Sequence, residues 1–123
     1  DPLVCWGDGT PIRDFIYAGD CADGMIHMVE NGITEPVNLG SGTGVSIKDV
    51  ATAIRDSYNG DVKIEWDTSK PKGDALRLMD TSRAKSHGFE CSTSLEKGIL
   101  ETVSWFLENK ELYKKRNNYF TKG

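Results

Sequence analysis

Leu3-Val4-Cys5-Trp6-Gly7-Asp8-Gly9-Thr10-Pro11-Ile12-Arg13-Asp14-Phe15-Ile16-Tyr17 is the stretch from which the fold is read. Four apolar residues lead into two glycines, an aspartate and a proline, and a β-branched and aromatic run follows. That order spells strand, turn, strand. The two strands are expected to pair as a hairpin with a long turn. Downstream, Asp20 can cap a helix over about residues 21–31, whose Cys21, Ala22, Met25, Ile26, Met28 and Val29 fall at helical spacing. Gly32 ends it. Pro36-Val37-Asn38-Leu39 reads as a short strand and residues 40–44, Gly-Ser-Gly-Thr-Gly, as a loop.

Ser46 and Asp49 form a capping box that opens the second helix. Its Ile47, Val50, Ala51, Ile54 and Tyr58 make one apolar face, and Asn59-Gly60 stops it. Residues 62–66 alternate as a half-buried strand, and 67–79 form a polar connection. Asp80 can cap a short helix over 81–87, ended by Gly88. Thr93 and Glu96 form a second capping box for a last helix over 94–109, with Leu95, Ile99, Val103, Phe106 and Leu107 inward. The order β-β-α-β-α-β-α-α gives an α/β or α+β class, with short mixed strands and about four helices. Too few strands alternate with helices to close a doubly wound sheet alone. Residues 1–109 form the domain. Residues 110–123, with five basic groups and one acid, read as a solvated basic tail.

Composition narrows the partners. The 123 residues carry 15 Lys+Arg against 19 Asp+Glu, a net charge of −4, which argues against a nucleic-acid surface or anionic lipid. No apolar run is long enough to span a membrane, and no basic-then-apolar leader is present. Three widely spaced cysteines without a Cys-x-x-Cys, and two isolated histidines, make a disulfide framework or a zinc site unexpected. Reduced thiols in the cytoplasm are the expectation. The chain opens at Asp1-Pro2 with no Met and enters a strand at once, as a piece of something longer would; a trimmed or processed chain would open the same way.

No complete catalytic set is legible. There is no Gly-x-Ser-x-Gly elbow, and neither Tyr17 nor Tyr58 has a Lys four residues on. His27 reads as a boundary residue of the first helix. The glycines at 40, 42 and 44 follow a strand and precede a helix, where backbone N–H groups can cradle phosphate. Their spacing is not Gly-x-Gly-x-x-Gly and no Gly-Lys-Ser/Thr follows, so a plain connection is the better reading. What remains is an anion grip. Arg13 flanks the glycine turn, Arg77 lies in the polar connection and Arg83 follows Asp80. A guanidinium fork suits diphosphate. Trp6 ends a strand beside the turn, where its indole can stack on a ring. A surface ion pair and a packed tryptophan are the plainer alternatives.

Residues 4–20, from Val4 through Arg13-Asp14-Phe15-Ile16-Tyr17 to Asp20, resemble a segment of the extended short-chain dehydrogenases/reductases, the NAD-dependent epimerase/dehydratase family acting on nucleotide-diphosphate sugars. Residues 37–42 (Val-Asn-Leu-Gly-Ser-Gly) with 46–50, residues 73–85 and the ending Trp105-Phe106-Leu107-Glu108-Asn109 are similar in the same order. Within the family, Trp6-Gly7, Gly9-Thr10-Pro11 and Arg13 are most similar to the GDP-fucose synthase branch, which epimerises and reduces GDP-4-keto-6-deoxymannose with NADPH. The resemblance implies the C-terminal, substrate-binding portion of an extended Rossmann-type enzyme, its N-terminal dinucleotide domain missing. It implies Trp6 and Arg13 on the nucleotide sugar, Arg13 on the diphosphate, and a contact from the late Lys70-Pro71 loop. There Lys72 stands where the family tends to carry an acid, and Asp74 follows two residues on. The expected substrate-binding set is Trp6, Arg13, Asp74 and Arg77. No catalytic, metal or cofactor-binding residue is expected in this chain. NADP(H) and homodimerisation belong to the longer enzyme. UDP- or dTDP-sugar enzymes of the family, and a stand-alone binding module without catalysis, are the alternatives.

Overall fold

A computed structural model describes residues 2–58 and 60–114. In chain order its elements are β1 Leu3–Trp6, β2 Ile12–Asp14, α1 Ala18–Glu30, β3 Gly44–Ser46, α2 Ile47–Tyr58, β4 Ile64–Asp67, β5 Leu76–Arg77, α3 Ser82–Ser86, α4 Leu95–Glu108 and α5 Lys110–Lys114. The fold is mixed α/β with short strands, as expected. The last helix lies in the stretch read as tail, and residues 115–123 of that tail lie outside the described residues.

The expected hairpin does not form. The turn after β1 carries the chain away, and β1 pairs in parallel with β4, Trp6 opposite Asp67. β2 sits in the middle of a second sheet, antiparallel to β3 and parallel to β5. A tight two-residue turn folds strands onto each other, whereas the five-residue turn here leaves both free to find other neighbours. β5 lies in the stretch read as a polar connection and β3 runs from the end of the glycine loop to the residue read as the helix cap; two- and three-residue strands carry no periodicity.

The expected strand over 36–39 is not a strand. Val37 and Leu39 are half-buried and Asn38 is exposed, the alternation of a strand with one packed face. Among the described residues no neighbouring strand lies beside it. Val37 and Leu39, with Ile33, pack on a small core of Met28, Ala84 and Phe89. α1 enters that core through Gly24, where a Cβ would stand 2.8 Å from Phe89 and 3.0 Å from Leu39.

Caps differ in detail. Ser46 and Asp49 form the expected box: the Asp49 N–H donates to Ser46 Oγ (3.0 Å), and Ser46 Oγ donates to Asp49 Oδ2 (2.7 Å). α1 begins earlier than expected, with Tyr17 at the cap, so Asp20 lies inside the first turn. α4 is capped by Ser94, which accepts from the Lys97 N–H, and not by Thr93. Thr93 instead donates its N–H and hydroxyl to Asp20, both at 2.9 Å. Asp20 thereby trades its capping role for a buried tie between α1 and the lead-in to α4. Leu107, expected inward on α4, is exposed.

Candidate nucleotide-diphosphate site

The turn between β1 and β2 is built by its glycines and Asp8. Gly7 and Gly9 take positive φ values of 83° and 75°, backbone that side chains resist. Asp8 accepts from Thr10 N–H (3.0 Å), Thr10 Oγ1 (2.6 Å) and Lys72 Nζ (2.8 Å). The Lys72 hydrogen bond, followed by those from Thr10, holds the Asp8 carboxyl well below the usual range. A Cβ on Gly7 would stand 2.7 Å from Lys72 Cβ, so the late loop lies directly against the turn. Lys70, two residues earlier, holds its ammonium 5.8 Å from the Trp6 ring centroid. Trp6 is 66% exposed. Gly73, one residue later, faces the Arg13 fork: a Cβ there would be 3.4 Å from Arg13 Nη2. Residues 70–73 thus form a strap joining Trp6, Asp8 and Arg13, and Asp74 follows it, exposed.

Arg13 and Arg77 are register partners on adjacent parallel strands. Partners in one ladder point to the same face of the sheet, with strands about 4.8 Å apart. Arg13 donates one N–H to Ile12 O (2.7 Å). Among the described residues neither arginine forms an ion pair. Two arginines presented on one face of adjacent strands can donate to one anion between them. Arg83, the third arginine of the sequence reading, is instead committed to structure: it pairs with Glu35 and donates to Pro36 O.

The glycine loop at 40–44 does not take an anion from outside. Ser41 N–H (2.7 Å), Ser41 Oγ (2.7 Å) and Gly42 N–H (3.2 Å) all donate to the Asp14 carboxylate. Asp14 occupies the place a phosphate would need. These residues therefore do not fit a dinucleotide phosphate, in agreement with the reading as a connection. No cluster of three metal-ligating side chains occurs among the described residues. Burial, followed by the charges of Asp20 and Asp14, pushes the Cys91 thiol up, which disfavours the thiolate. His27 is half-buried and hydrogen-bonds His87 O at 2.7 Å.

A separate groove of about 710 Å³ runs between residues 15–18, α2 and α4, lined by Phe15, Tyr17, Ile54, Tyr58, Ile99 and Trp105 among others. It contains none of Trp6, Arg13, Asp74 or Arg77. Its apolar walls suit polypeptide or another apolar partner and offer a diphosphate nothing.

The profile of the NAD dependent epimerase/dehydratase family matches residues 1–40, the stretch that holds Trp6, Arg13 and Asp14. Over that stretch the chain is similar to members of that family. Its relatives include the probable GDP-L-fucose synthase 1 of Oryza sativa subsp. japonica, 38% identical over 109 residues, covering 87% of this chain and 33% of that protein. Among solved structures, the GDP-L-fucose synthetase of Naegleria fowleri bound to NADP is 32% identical with a TM-score of 0.78, covering 88% of this chain and 35% of that one. The epimerase Mth375 of Methanothermobacter thermautotrophicus is 27% identical with a TM-score of 0.81, covering 94% and 35%. The chain spans about a third of the length of the curated relatives it matches. Trp6 and Arg13 are legible as candidates by residue type and place in the sequence. The approach of Lys70 to Trp6 and the capture of the Asp14 carboxylate by Ser41 and Gly42 depend on contacts across the fold and carry no local signal. Among the described residues no helix is long and apolar enough to cross a membrane.

Proposed function

We propose that the chain is the C-terminal, nucleotide-sugar-binding part of an NADP-dependent epimerase/reductase acting on a GDP-4-keto-6-deoxy sugar. Arg13 and Arg77 grip the diphosphate, Trp6 stacks on the base, and the strap through Asp74 closes one side. The observation that carries this reading is the register pairing of Arg13 with Arg77, with a strap over residues 70–73 that reaches both Arg13 and the exposed Trp6 indole. Residues 1–109 are the binding domain. Hydride and proton transfer fall to a dinucleotide domain that the chain meets through its apolar faces, and the enzyme works as a homodimer. The NADP in the Naegleria fowleri structure supports that cofactor in the longer enzyme. Three free cysteines support a reducing, cytoplasmic setting.

The test is calorimetric titration of GDP, UDP and dTDP into the native-length protein. Arg13→Ala should weaken binding of the preferred nucleotide most. A fork donating two charge-assisted bonds is worth about 2–5 kcal/mol when truncated in a desolvated site, or about 30-fold and more in affinity. Arg13→Lys should restore part of it. Arg55→Ala, whose arginine is paired with Asp56 on α2, should be neutral. Binding of Arg13→Ala within twofold of wild type makes Arg13 structural. A preference for UDP or dTDP moves the chain to another branch of the family.

A further inference from the structure

We propose that Lys70 is a positioning residue of this site: its ammonium, over one face of the Trp6 indole, fixes the ring so that the opposite face receives the nucleotide base. The proposal rests on the nucleotide reading above. Trp6 ends its strand with most of its surface in solvent, and such a side chain samples several rotamers unless something holds it. Lys70 is placed to do so. The Lys70 N–H donates to Asp67 O at 3.2 Å, and Asp67 is the register partner of Trp6 on β4. The Asp67 carboxylate in turn accepts from Ser69 N–H at 3.1 Å and from Ser69 Oγ. The turn carrying Lys70 is therefore built on the residue beside Trp6 in the ladder. On its other side the strap is fixed by Lys72, bonded to Asp8 and packed on Gly7. Lys70 is thus held between β4, at the residue opposite Trp6, and the turn that follows Trp6.

A cation prefers the ring face, and having taken one face it leaves the other as a flat apolar surface. Lys70 acts through Trp6 and not on phosphate. That distinction separates it from Arg13, whose fork serves any diphosphate.

Titrate GDP and inorganic pyrophosphate into the native-length protein as wild type, Lys70→Met, Lys70→Arg, Trp6→Leu and the Trp6→Leu/Lys70→Met double variant, using UDP in place of GDP if it ranks first above. Lys70→Met should weaken the nucleotide about two- to fivefold and leave pyrophosphate unchanged. Lys70→Arg, which keeps a cation over the ring, should bind like wild type. In the Trp6→Leu background, Lys70→Met should cost nothing further. An equal loss for pyrophosphate, or a loss that persists without Trp6, makes Lys70 a phosphate contact and overturns the proposal, as does no loss at all. Failure of wild type to bind any nucleoside diphosphate, with or without pyrophosphate binding, removes the nucleotide reading and this proposal with it.

Discussion

In the turn between β1 and β2, one carboxylate takes three donors, one lysine ties the turn to a distant loop, and two left-handed glycines let the pieces touch. On α1, by contrast, Met25 and Ile26 are more than half exposed and Val29 is 79% exposed. Ile54, Tyr58 and Trp105 are likewise exposed along the apolar groove. The turn is finished locally, because hydrogen bonds and close backbone approaches need only a few residues. The helical side is unfinished, because burying an amphipathic face needs a second layer. The difference marks which parts of the molecule this chain completes by itself: the polar rim proposed for the ligand, and not the apolar faces proposed to meet other polypeptide.

Gly9→Ala strikes the finished region hardest. The new Cβ would stand 2.6 Å from the Trp66 ring and 3.0 Å from Lys48 Cβ, at φ +75°. Left-handed backbone costs about 1–2 kcal/mol and overpacking about 1–3 kcal/mol more. Chemical denaturation should show a loss of about 3 kcal/mol. A loss within experimental error means that the turn relaxes freely, and the contrast with the helical side weakens.

Asp20→Ala comes next. It removes the polar pin that the helical side does possess, leaving the Thr93 N–H and hydroxyl without their acceptor. Stability should fall by about 2 kcal/mol. Burial raises the Asp20 carboxyl, but the bonds from Thr93 and Ser92 outweigh it and the pKa ends lowered from 3.8. A lowered carboxylate stabilises the fold above its unfolded value, and the contribution is lost as pH falls through the folded value. Wild type should therefore lose stability below about pH 4 more steeply than Asp20→Ala. Parallel acid profiles for the two proteins would show that the pin carries no charge-dependent part.

The sequence displays the finished region well and the unfinished one only in outline. Gly7, Asp8, Gly9 and Pro11 announce their turn because turn chemistry is local. Ser46 and Asp49 announce their cap for the same reason. The partners of β1 and β2 are not legible, since pairing with β4, β3 and β5 is settled by long-range contacts that no local pattern encodes. Asp20 and Thr93 each look like a cap in isolation, and only the fold reveals that they satisfy each other. Val37-Asn38-Leu39 is the instructive error: the alternation is real, but a strand is defined by a neighbour, and none lies beside it among the described residues. At the site, Trp6 and Arg13 stand out by residue type. The pairing of Arg13 with Arg77 depends on register, and Lys70 over Trp6 depends on a strap that reads as a bland polar loop.

The smallest effect on stability should come from the most conspicuous exposed residue. Val29 is 79% exposed near the end of α1, with Met25 one turn earlier on the same face. Valine and serine have similar helix propensities, and an exposed side chain has little packing to lose. Val29→Ser should therefore change the stability of the chain by less than about 0.5 kcal/mol in denaturant titration. Its association should change much more. An apolar face on a surface helix is the kind of patch that drives self-association at micromolar concentration, and a hydroxyl at its end makes burial of that face unfavourable. Sedimentation velocity on the wild-type chain should show oligomers, and on Val29→Ser a shift towards monomer. A marked loss of stability would mean that Val29 packs within the chain after all, and the contrast between the two regions would fail. Unchanged oligomers with unchanged stability would move the sticky surface from α1 to the groove at Ile54, Tyr58 and Trp105, where Trp105→Ser would be the next variant to sediment.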